Sequence, residues 1–229
     1  MNSGSLFIVS TPIGNLDDIT FRAVKVLQDV DCIICEDTRV TKRLLDKYDI
    51  KSKLVTCNEY NETKKVDMLT RIILDGSNVA LVSDAGTPCI SDPGYRLISN
   101  IKKNNLAISV VSIPGASASI SSLSISGLPS DCFYFIGFLP KKKGRQKKIK
   151  ELLDCNCSTI IYESPMRIKK TLKDLFFILG NRKIFISREM TKLYEENFYT
   201  DLESVDLGKI NLKEKGEYVI IVAKSGYEV

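Results

Sequence analysis

Three compact loops rich in glycine, proline and small polar residues are the places where this chain is best equipped to do chemistry. They read STPIGNL at residues 10–16, SDAGTPCISDPG at 83–94 and SIPGASAS at 112–119. Glycine lets a backbone approach a ligand closely, and proline stiffens a loop. Ordinary turns favour the same residue types. Three such loops, each following an apolar segment, nevertheless favour a ligand site.

The loops also restrict the kind of ligand. The chain contains neither the GxGxxG dinucleotide motif nor the GxxxxGK[ST] phosphate loop. The loops are neutral to acidic and carry no lysine beside their glycines. Backbone groups and carboxylates therefore suit a ligand that carries a cation or an amine. S-adenosylmethionine, with its sulfonium and ammonium groups, fits this description, and so do several nucleosides.

The composition excludes several classes of site. The 229 residues include no histidine, which removes Ser-His-Asp triads, Cys-His pairs and histidine metal ligands. The seven cysteines are an odd number and scattered, which favours reduced thiols in a cytoplasmic protein over a disulfide framework. Cys32 and Cys35 are spaced as CxxC within an expected strand, where they face opposite ways. We therefore expect no metal site.

Apolar runs of only a few residues favour a protein that does not span a membrane, and the start of the chain does not resemble a secretory signal.

The elements that position these loops alternate between strand and helix up to about residue 128. This alternation predicts an α/β layer with a mostly parallel sheet, in which ligands bind beyond the carboxyl ends of the strands. Asp17 or Asp18 is expected to cap the first helix. From LPSD at 128–131 the chain becomes aromatic and then basic, which predicts a second α/β domain with more antiparallel pairing. The predicted domains are 1–130 and 131–229.

A basic segment, KKKGRQKKIK at 141–150, holds seven basic residues in ten positions. It is either a solvated start of a helix or a patch that contacts the phosphates of a nucleic acid. The aromatic residues just before it could stack on bases, although the alternation in FYFIGF favours a core strand for at least two of them. The residues of the predicted RNA-binding patch are Lys141, Lys142, Lys143, Arg145, Lys147 and Lys148.

Eight motifs, in this order, resemble the ribosomal small-subunit RNA 2′-O-methyltransferases of the tetrapyrrole (corrin/porphyrin) methylase superfamily. They are TPIGNLDDIT, CEDTR, SDAGTPCISDPG, IPGASA, GFLPKKKGRQ, YESPMRI, REMTKLYEE and GEYVIIV, and they span nearly the whole chain. The resemblance implies two α/β domains of the tetrapyrrole methylase type with the cofactor S-adenosylmethionine in the cleft between them, and a homodimer. It implies methylation of a cytidine ribose in 16S ribosomal RNA of the small subunit, with no DNA or membrane partner.

The resemblance also assigns residues to the cofactor. In the first domain these are Pro12, Ser83, Asp84, Ala85, Gly86, Thr87, Ile90, Ser117 and Ala118. In the second domain they are Tyr162, Glu163, Ser164, Gly216 and Glu217.

Methyl transfer also needs groups that position the acceptor hydroxyl and take its proton. Because the chain has no histidine, the base must be a carboxylate, a lysine or water. Asp37 and Arg39 of CEDTR are the candidates for positioning the acceptor, and the alternative is a helix-capping Asp beside a surface Arg. Glu59 is a weaker candidate base. Tyr60 stands where the family usually has a histidine, and family members often continue beyond the last strand.

Two other functions stay open at this point. A methyltransferase of the same superfamily acting on a tetrapyrrole would also tolerate a basic patch, because its substrate carries carboxylates. A non-catalytic RNA-binding protein would explain the patch but not the three loops. The motifs GFLPKKKGRQ and REMTKLYEE favour RNA.

Overall fold

The computed structural model describes residues 3–227, and the chain divides into two compact units that meet between Ser117 and Ala118. The first unit is a five-stranded parallel sheet with the strand order β3-β2-β4-β1-β5. Its strands are β1 (Ser5–Val9), β2 (Cys32–Cys35), β3 (Lys53–Thr56), β4 (Val79–Leu81) and β5 (Ser109–Ile113). Its helices are α1 (Phe21–Asp29), α2 (Thr38–Lys47), α3 (Glu62–Leu74) and α4 (Tyr95–Lys103).

The first sheet is buried on both faces, as a parallel sheet covered by crossover helices should be. Strand β2 shows this directly, because all four of its residues are buried. Cys32 and Ile34 pack in one apolar cluster, whereas Ile33 and Cys35 pack in another. The expectation that the two cysteines face opposite ways is confirmed.

The order of the first sheet brings the candidate loops together. Strand β1 lies between β4 and β5, with Ile8 opposite Leu81 and Val9 opposite Ile113. All three strands run in the same direction, so the loops that follow them leave from the same edge. Strand β2 is the other neighbour of β4 and brings CEDTR to that edge.

The second unit is a mixed five-stranded sheet with the order β6-β7-β10-β8-β9. Only β6 and β7 pair in parallel, and the other three pairs are antiparallel. Its strands are β6 (Phe133–Phe138), β7 (Ser158–Glu163), β8 (Lys183–Arg188), β9 (Glu196–Asp201) and β10 (Tyr218–Val222). Its helices are α5 (Ala118–Ile125), α6 (Arg145–Lys150), α7 (Ile168–Leu179) and α8 (Leu202–Asp206). The predicted class, two α/β domains with more antiparallel pairing in the second, is confirmed.

The observed division lies before helix α5, between Ser117 and Ala118, and not at the predicted boundary between 130 and 131. Leu123 of this helix lies in an apolar cluster with Ile160 of β7 and with Val219 and Ile221 of β10. The helix therefore covers one face of the second sheet. Its serine-rich sequence follows β5 directly, so the alternation of elements assigned it to the first unit, whereas its packing assigns it to the second.

The start of the first helix also differs from the sequence-based expectation. Asp17 and Asp18 lie in a short 3-10 turn, and α1 begins at Phe21 with Thr20 as its cap, because the Thr20 hydroxyl accepts from the Ala23 N–H at 3.1 Å. Strand β9 ends at Asp201, whose side chain caps α8. A search of residues 3–227 finds no helix that is both long and apolar enough to cross a membrane.

Candidate functional site

Hydrogen bonds join the three glycine-rich loops at the carboxyl edge of the first sheet. Thr11 and Gly86 exchange two backbone hydrogen bonds, of 2.9 and 3.0 Å. The Thr87 hydroxyl donates to the Ala116 carbonyl at 3.2 Å, which leaves the Ser10 hydroxyl to donate to Thr87 Oγ1 at 2.9 Å. The loops that follow β1, β4 and β5 therefore form one connected surface, as the sequence predicted.

The loop after β4 has an unusual backbone. Four of its residues have positive φ angles, which are 82° at Gly86, 71° at Cys89, 63° at Ser91 and 117° at Gly94. Cys89 and Ser91 are not glycines, so each pays a conformational cost in this region. Such strain persists only where the surroundings hold it, and it is concentrated at functional sites.

At two positions of these loops the neighbouring atoms lie so close that only glycine fits. A Cβ built on Gly115 would lie 2.9 Å from the Cβ of Ser10, and one built on Gly94 would lie 2.5 Å from Leu81 Cδ2. Gly115 thus lets the loop after β5 approach the loop after β1. Gly94 lets the end of the loop after β4 fold back on the strand that it left.

A buried carboxylate that the sequence analysis did not identify holds the end of this loop. Glu62, the first residue of α3, accepts from the backbone N–H groups of Gly94 and Arg96, both at 3.0 Å. The Arg96 guanidinium lies 3.6 Å from the same carboxylate. Glu62 therefore stabilises the start of α4 from another helix. In the sequence, Glu62 looks like any acidic residue near the start of a helix, so nothing there predicts its burial.

Three carboxylates gather where β2 and β4 end. Burial, together with the nearby charges of Asp92 and Asp84, raises the pKa of Glu36 to about 7, while the Asp84 backbone N–H acts in the opposite direction. Burial also raises the pKa of Asp92 to about 6, with the Ser83 hydroxyl opposing the rise. The pKa of Asp84 is raised as well, again chiefly by burial. This edge therefore favours a ligand that carries positive charge. Of the three, only Asp84 is among the site residues predicted from the sequence.

The predicted positioning residues of CEDTR pair with each other. Asp37 caps α2 by accepting from the Arg39 N–H at 2.8 Å, and its carboxylate takes two side-chain hydrogen bonds from Arg39 Nε and Nη2. These bonds lower the pKa of Asp37 to about 2. The Asp37 backbone N–H donates to the Asp84 carboxylate at 3.1 Å. Asp37 and Arg39 thus lie at the candidate edge with the geometry of a helix cap, whereas Glu59 is exposed in the turn before α3.

The residues predicted to bind the cofactor in the first unit share this edge but differ in exposure. Ser83 is buried, and its hydroxyl lies 3.3 Å from the carbonyls of Ala85 and Gly86, so it shapes the loop. Asp84 and Ala85 are exposed, and Ile90 is half exposed although it is apolar. The other residues are buried or partly buried: Pro12, Gly86, Thr87 and Ser117. Ala118, also partly buried, begins α5 in the second unit.

In the second unit the side chain of Glu163 is already engaged. This buried carboxylate accepts from Thr171 Oγ1 at 2.5 Å, from Arg167 Nε at 2.7 Å and from the Ser164 N–H at 2.7 Å. The Tyr162 hydroxyl accepts from the Ser119 N–H at 3.1 Å and so holds the first turn of α5. Both side chains support the fold of this unit, and their predicted contact with a cofactor stays a prediction.

Gly216 and Glu217 lie in a charged network at the end of the second sheet where Glu163 also lies. A Cβ on Gly216, whose φ is +88°, would lie 2.5 Å from Glu189 Cγ. Glu189 accepts from the Glu217 N–H and from Lys192, each at 2.9 Å, and Lys192 also contacts the Glu217 carboxylate at 3.0 Å. The segment REMTKLYEE is therefore fixed to the turn before β10, with Leu193 and Tyr194 exposed.

The basic segment divides into exposed and structural residues. Lys141, Lys142, Lys143 and Lys147 are exposed. Arg145 is a correction to the predicted patch, because it is buried and donates to Asp174 at 2.8 Å and to Thr171 Oγ1 at 2.8 Å. A guanidinium engaged in this way does not face a phosphate.

Lys148 is also engaged within the protein. It donates to Glu151 at 2.8 Å and to the Tyr134 hydroxyl at 2.6 Å. Of the neighbouring aromatic residues, Phe135 and Phe138 both pack edge-on against Tyr162, at 5.0 and 5.8 Å. Phe138 and Phe133 nevertheless stay substantially exposed on an edge strand. Within residues 3–227, no three His, Cys, Asp or Glu side chains are grouped to hold a metal ion.

Comparisons with known proteins define the class to which this architecture belongs. A family model of the tetrapyrrole (corrin/porphyrin) methylases matches residues 5–206. A cobalt precorrin-4 methyltransferase of cobalamin biosynthesis has a similar fold, with a TM-score of 0.69 at 18% identity over 96% of this chain and 94% of its own. A uroporphyrin-III C-methyltransferase from Thermus thermophilus, complexed with S-adenosyl homocysteine, gives 0.66 at 16% identity over 95% and 97%. The class is therefore that of the methyltransferases with the tetrapyrrole methylase fold.

Sequence relatives define the branch. The ribosomal RNA small subunit methyltransferase I of Halalkalibacterium halodurans is 46% identical over 229 residues, which are 100% of this chain and 78% of the relative. The protein of the same name from Thermotoga maritima is 47% identical over 195 residues, 85% of this chain and 87% of the relative. The chain belongs to the tetrapyrrole methylase family, in its ribosomal RNA small subunit methyltransferase I branch.

We expect Gly94→Ala to destabilise the protein more than Gly144→Ala. Both glycines have positive φ, so each substitution costs about 1–2 kcal/mol of backbone strain. Only the new Cβ at Gly94 collides with Leu81 and Cys89, whereas nothing lies within 4 Å at Gly144. Overpacking adds about 1–3 kcal/mol. Urea denaturation of the two variants measures the difference, and equal losses of stability would contradict the packing role of Gly94.

Proposed function

We propose that this protein transfers a methyl group from S-adenosylmethionine to the 2′-hydroxyl of a cytidine ribose in 16S ribosomal RNA of the small subunit. The observation that carries this proposal is the 46% identity to a ribosomal RNA small subunit methyltransferase I over the whole chain. The joined loops of the first unit support it, because they give the chain a ligand surface that a passive RNA-binding protein would not need.

The residues at the carboxyl edge fit S-adenosylmethionine chemically. The cofactor carries a sulfonium and an ammonium, and the edge offers the exposed Asp84 among carboxylates whose pKa values are raised. The half-exposed Ile90 offers apolar surface to the adenine and the alkyl chain. Ala85, beside Asp84 in the chain, is exposed and small, so its side chain leaves room for a ligand. When bound, S-adenosylmethionine supplies an activated methyl group, so alignment of the acceptor provides much of the rate.

The acceptor hydroxyl must lose a proton, and we propose Glu36 as the group that takes it. A general base works best when its pKa lies near the working pH. The pKa of Glu36 is raised to about 7, whereas Arg39 lowers that of Asp37 to about 2, which makes Asp37 a weak base. Asp37 and Arg39 would then position the acceptor, as the sequence analysis proposed.

Gly86→Val should weaken S-adenosylmethionine binding by at least about tenfold, or about 1.4 kcal/mol. A Cβ at Gly86 would lie 3.4 Å from Ile13 and 3.7 Å from the Ala116 carbonyl, so a branched side chain would separate the joined loops. The control is Gly208→Val, at a similar φ of +72° with nothing within 4 Å. Calorimetry on variants that melt cooperatively measures the affinities. Unchanged affinity in Gly86→Val would remove this loop from the cofactor site.

Glu36→Gln should abolish the rise of methyl transfer with pH. Below its pKa of about 7, Glu36 is protonated and cannot accept a proton, so the wild-type rate should increase about tenfold per pH unit and then level off above it. Initial rates are measured with labelled S-adenosylmethionine and small ribosomal subunits. Glu59→Gln and Asp37→Asn are the comparison variants. Loss of the profile in either of them, with the profile intact in Glu36→Gln, would overturn the assignment.

Replacing Lys141, Lys142, Lys143 and Lys147 with Gln should weaken binding to small ribosomal subunits and leave S-adenosylmethionine affinity unchanged. Each phosphate contact that is lost should flatten the slope of log affinity against log salt by about 0.7–0.9. The matched control replaces four exposed lysines of the first unit: Lys51, Lys64, Lys102 and Lys103. Titrations at four salt concentrations compare the slopes. Parallel lines for wild type and the first variant would show that these lysines do not contact phosphate.

Two further expectations stay proposals. The homodimer and the cytoplasmic location rest on the resemblance and on the cysteine pattern, respectively. The alternative substrate, a tetrapyrrole, is separated from RNA by the same titration, because a tetrapyrrole enzyme would have no specific affinity for small ribosomal subunits at any salt concentration.

A further inference from the structure

Three cysteines meet at one end of the second sheet. Cys132 comes directly before β6 and Cys157 directly before β7. These strands pair in parallel with Phe133 opposite Ser158, which places Cys132 beside Cys157. Cys155 lies two residues before Cys157, in the loop that leads into β7. Tyr162 and Glu163 lie at the other end of β7, so this thiol cluster is separate from the residues discussed above.

Two of these sulfurs are already in contact. Cys155 Sγ lies 3.4 Å from Cys157 Sγ. A disulfide has a sulfur–sulfur distance of about 2.05 Å, so the two atoms need to approach by about 1.4 Å. Neither thiol is fully buried, and Cys132 is exposed. A small oxidant therefore reaches the cluster without unfolding of the sheet.

The two thiols in contact differ in acidity. Burial acts to raise the pKa of Cys155, but hydrogen bonds with Cys157 and Thr159, together with the positive charge of Arg182, lower it overall. Burial and the neighbouring sulfurs of Cys155 and Cys132 raise the pKa of Cys157 to about 12. Cys155 is thus the more acidic thiol of the pair and the one that reacts more readily as a nucleophile, whereas Cys157 stays protonated near neutral pH.

The four cysteines of the first unit have no comparable environment. Cys32, Cys35 and Cys57 are buried, and burial raises the pKa of each. Burial also raises the pKa of Cys89 to about 11. These thiols stay protonated near neutral pH and are therefore much less reactive.

We propose that Cys155 and Cys157 form a redox-active dithiol that a peroxide oxidises to an intramolecular disulfide and that small thiols reduce again. In the first step the Cys155 thiolate attacks one peroxide oxygen, the oxygen–oxygen bond breaks, and a sulfenic acid forms as hydroxide leaves and becomes water. In the second step the Cys157 sulfur attacks Cys155 Sγ, the sulfur–oxygen bond breaks, and a second water leaves. The two thiols lose two electrons and two protons, and the peroxide is reduced to two waters.

A soft metal ion is the other ligand that clustered thiols take. Such a site needs four ligands for zinc. The three cysteines have no fourth partner, since residues 3–227 contain no group of His, Cys, Asp or Glu arranged to hold a metal. The close contact between Cys155 Sγ and Cys157 Sγ, two thiols of unequal acidity, favours thiol chemistry instead.

Peptide mapping of the oxidised full-length protein tests the proposal directly. The reduced protein is treated with one equivalent of hydrogen peroxide, alkylated and digested with trypsin without a reductant. Cys155 and Cys157 share the tryptic peptide 151–167, whereas Cys132 lies in the separate peptide 104–141. We expect peptide 151–167 to be lighter by two hydrogen atoms and to regain them with dithiothreitol. A cross-link between the two peptides, or alkylation of both cysteines in 151–167, would overturn the proposal.

Three variants test the separate roles of the thiols. Cys155→Ser should slow the reaction with peroxide by at least about tenfold, because the thiolate is lost. Cys157→Ser should leave a sulfenic acid on Cys155 that dimedone labels, and Cys132→Ser should react as fast as wild type. Unchanged kinetics in Cys155→Ser would overturn the assignment of the nucleophile. The wild-type peptide map decides the existence of the disulfide even if a variant does not fold.

Discussion

The two backbone hydrogen bonds between Thr11 and Gly86 are the constraint on which the candidate site depends. They join the loop after β1 to the loop after β4, and the hydroxyl of Thr87 extends the connection to the loop after β5. This arrangement is possible because β4, β1 and β5 are neighbours and run in the same direction. The positive φ of Gly86 permits the turn at the junction. The ligand surface is thus held mainly by backbone groups, which explains why the sequence uses small residues there.

A second consequence of this geometry is electrostatic. Strands β2 and β4 are adjacent, so the carboxylates that follow them, Glu36 and Asp84, are brought close to Asp92 of the same long loop. Burial and mutual repulsion raise the pKa of Glu36 to about 7, whereas the hydrogen bonds from Arg39 lower that of Asp37 to about 2. Carboxylates at this edge would attract the cationic methyl donor proposed above, and the pKa of Glu36 would let it exchange a proton near neutral pH. The exposed lysines that would contact RNA belong to the other unit.

The second unit stabilises its own charged residues differently. The buried Glu163 and Arg145 form a cluster with the partly buried Arg167, in which each charge has hydrogen-bonded partners. A buried charge without such partners is strongly destabilising. Glu163, which its motif assigns to the cofactor, and Arg145, which its motif assigns to RNA, therefore both stabilise the second unit. The exposed lysines beside Arg145 in the chain have no such structural role and would be available to contact phosphate.

The architecture and the positions of the loops follow from the sequence. Alternating strands and helices predicted both α/β units, and clustered glycine, proline and small polar residues marked the three loops, because hydrophobic periodicity and backbone preferences are local properties of a chain. The remaining features required the tertiary structure. It assigned helix α5 to the second sheet, buried Arg145, engaged Lys148 with Glu151 and Tyr134, and revealed Glu36, Glu62 and Asp92. These outcomes depend on burial and on partners distant in the chain, such as Asp174 for Arg145 and Gly94 for Glu62, which local patterns do not encode.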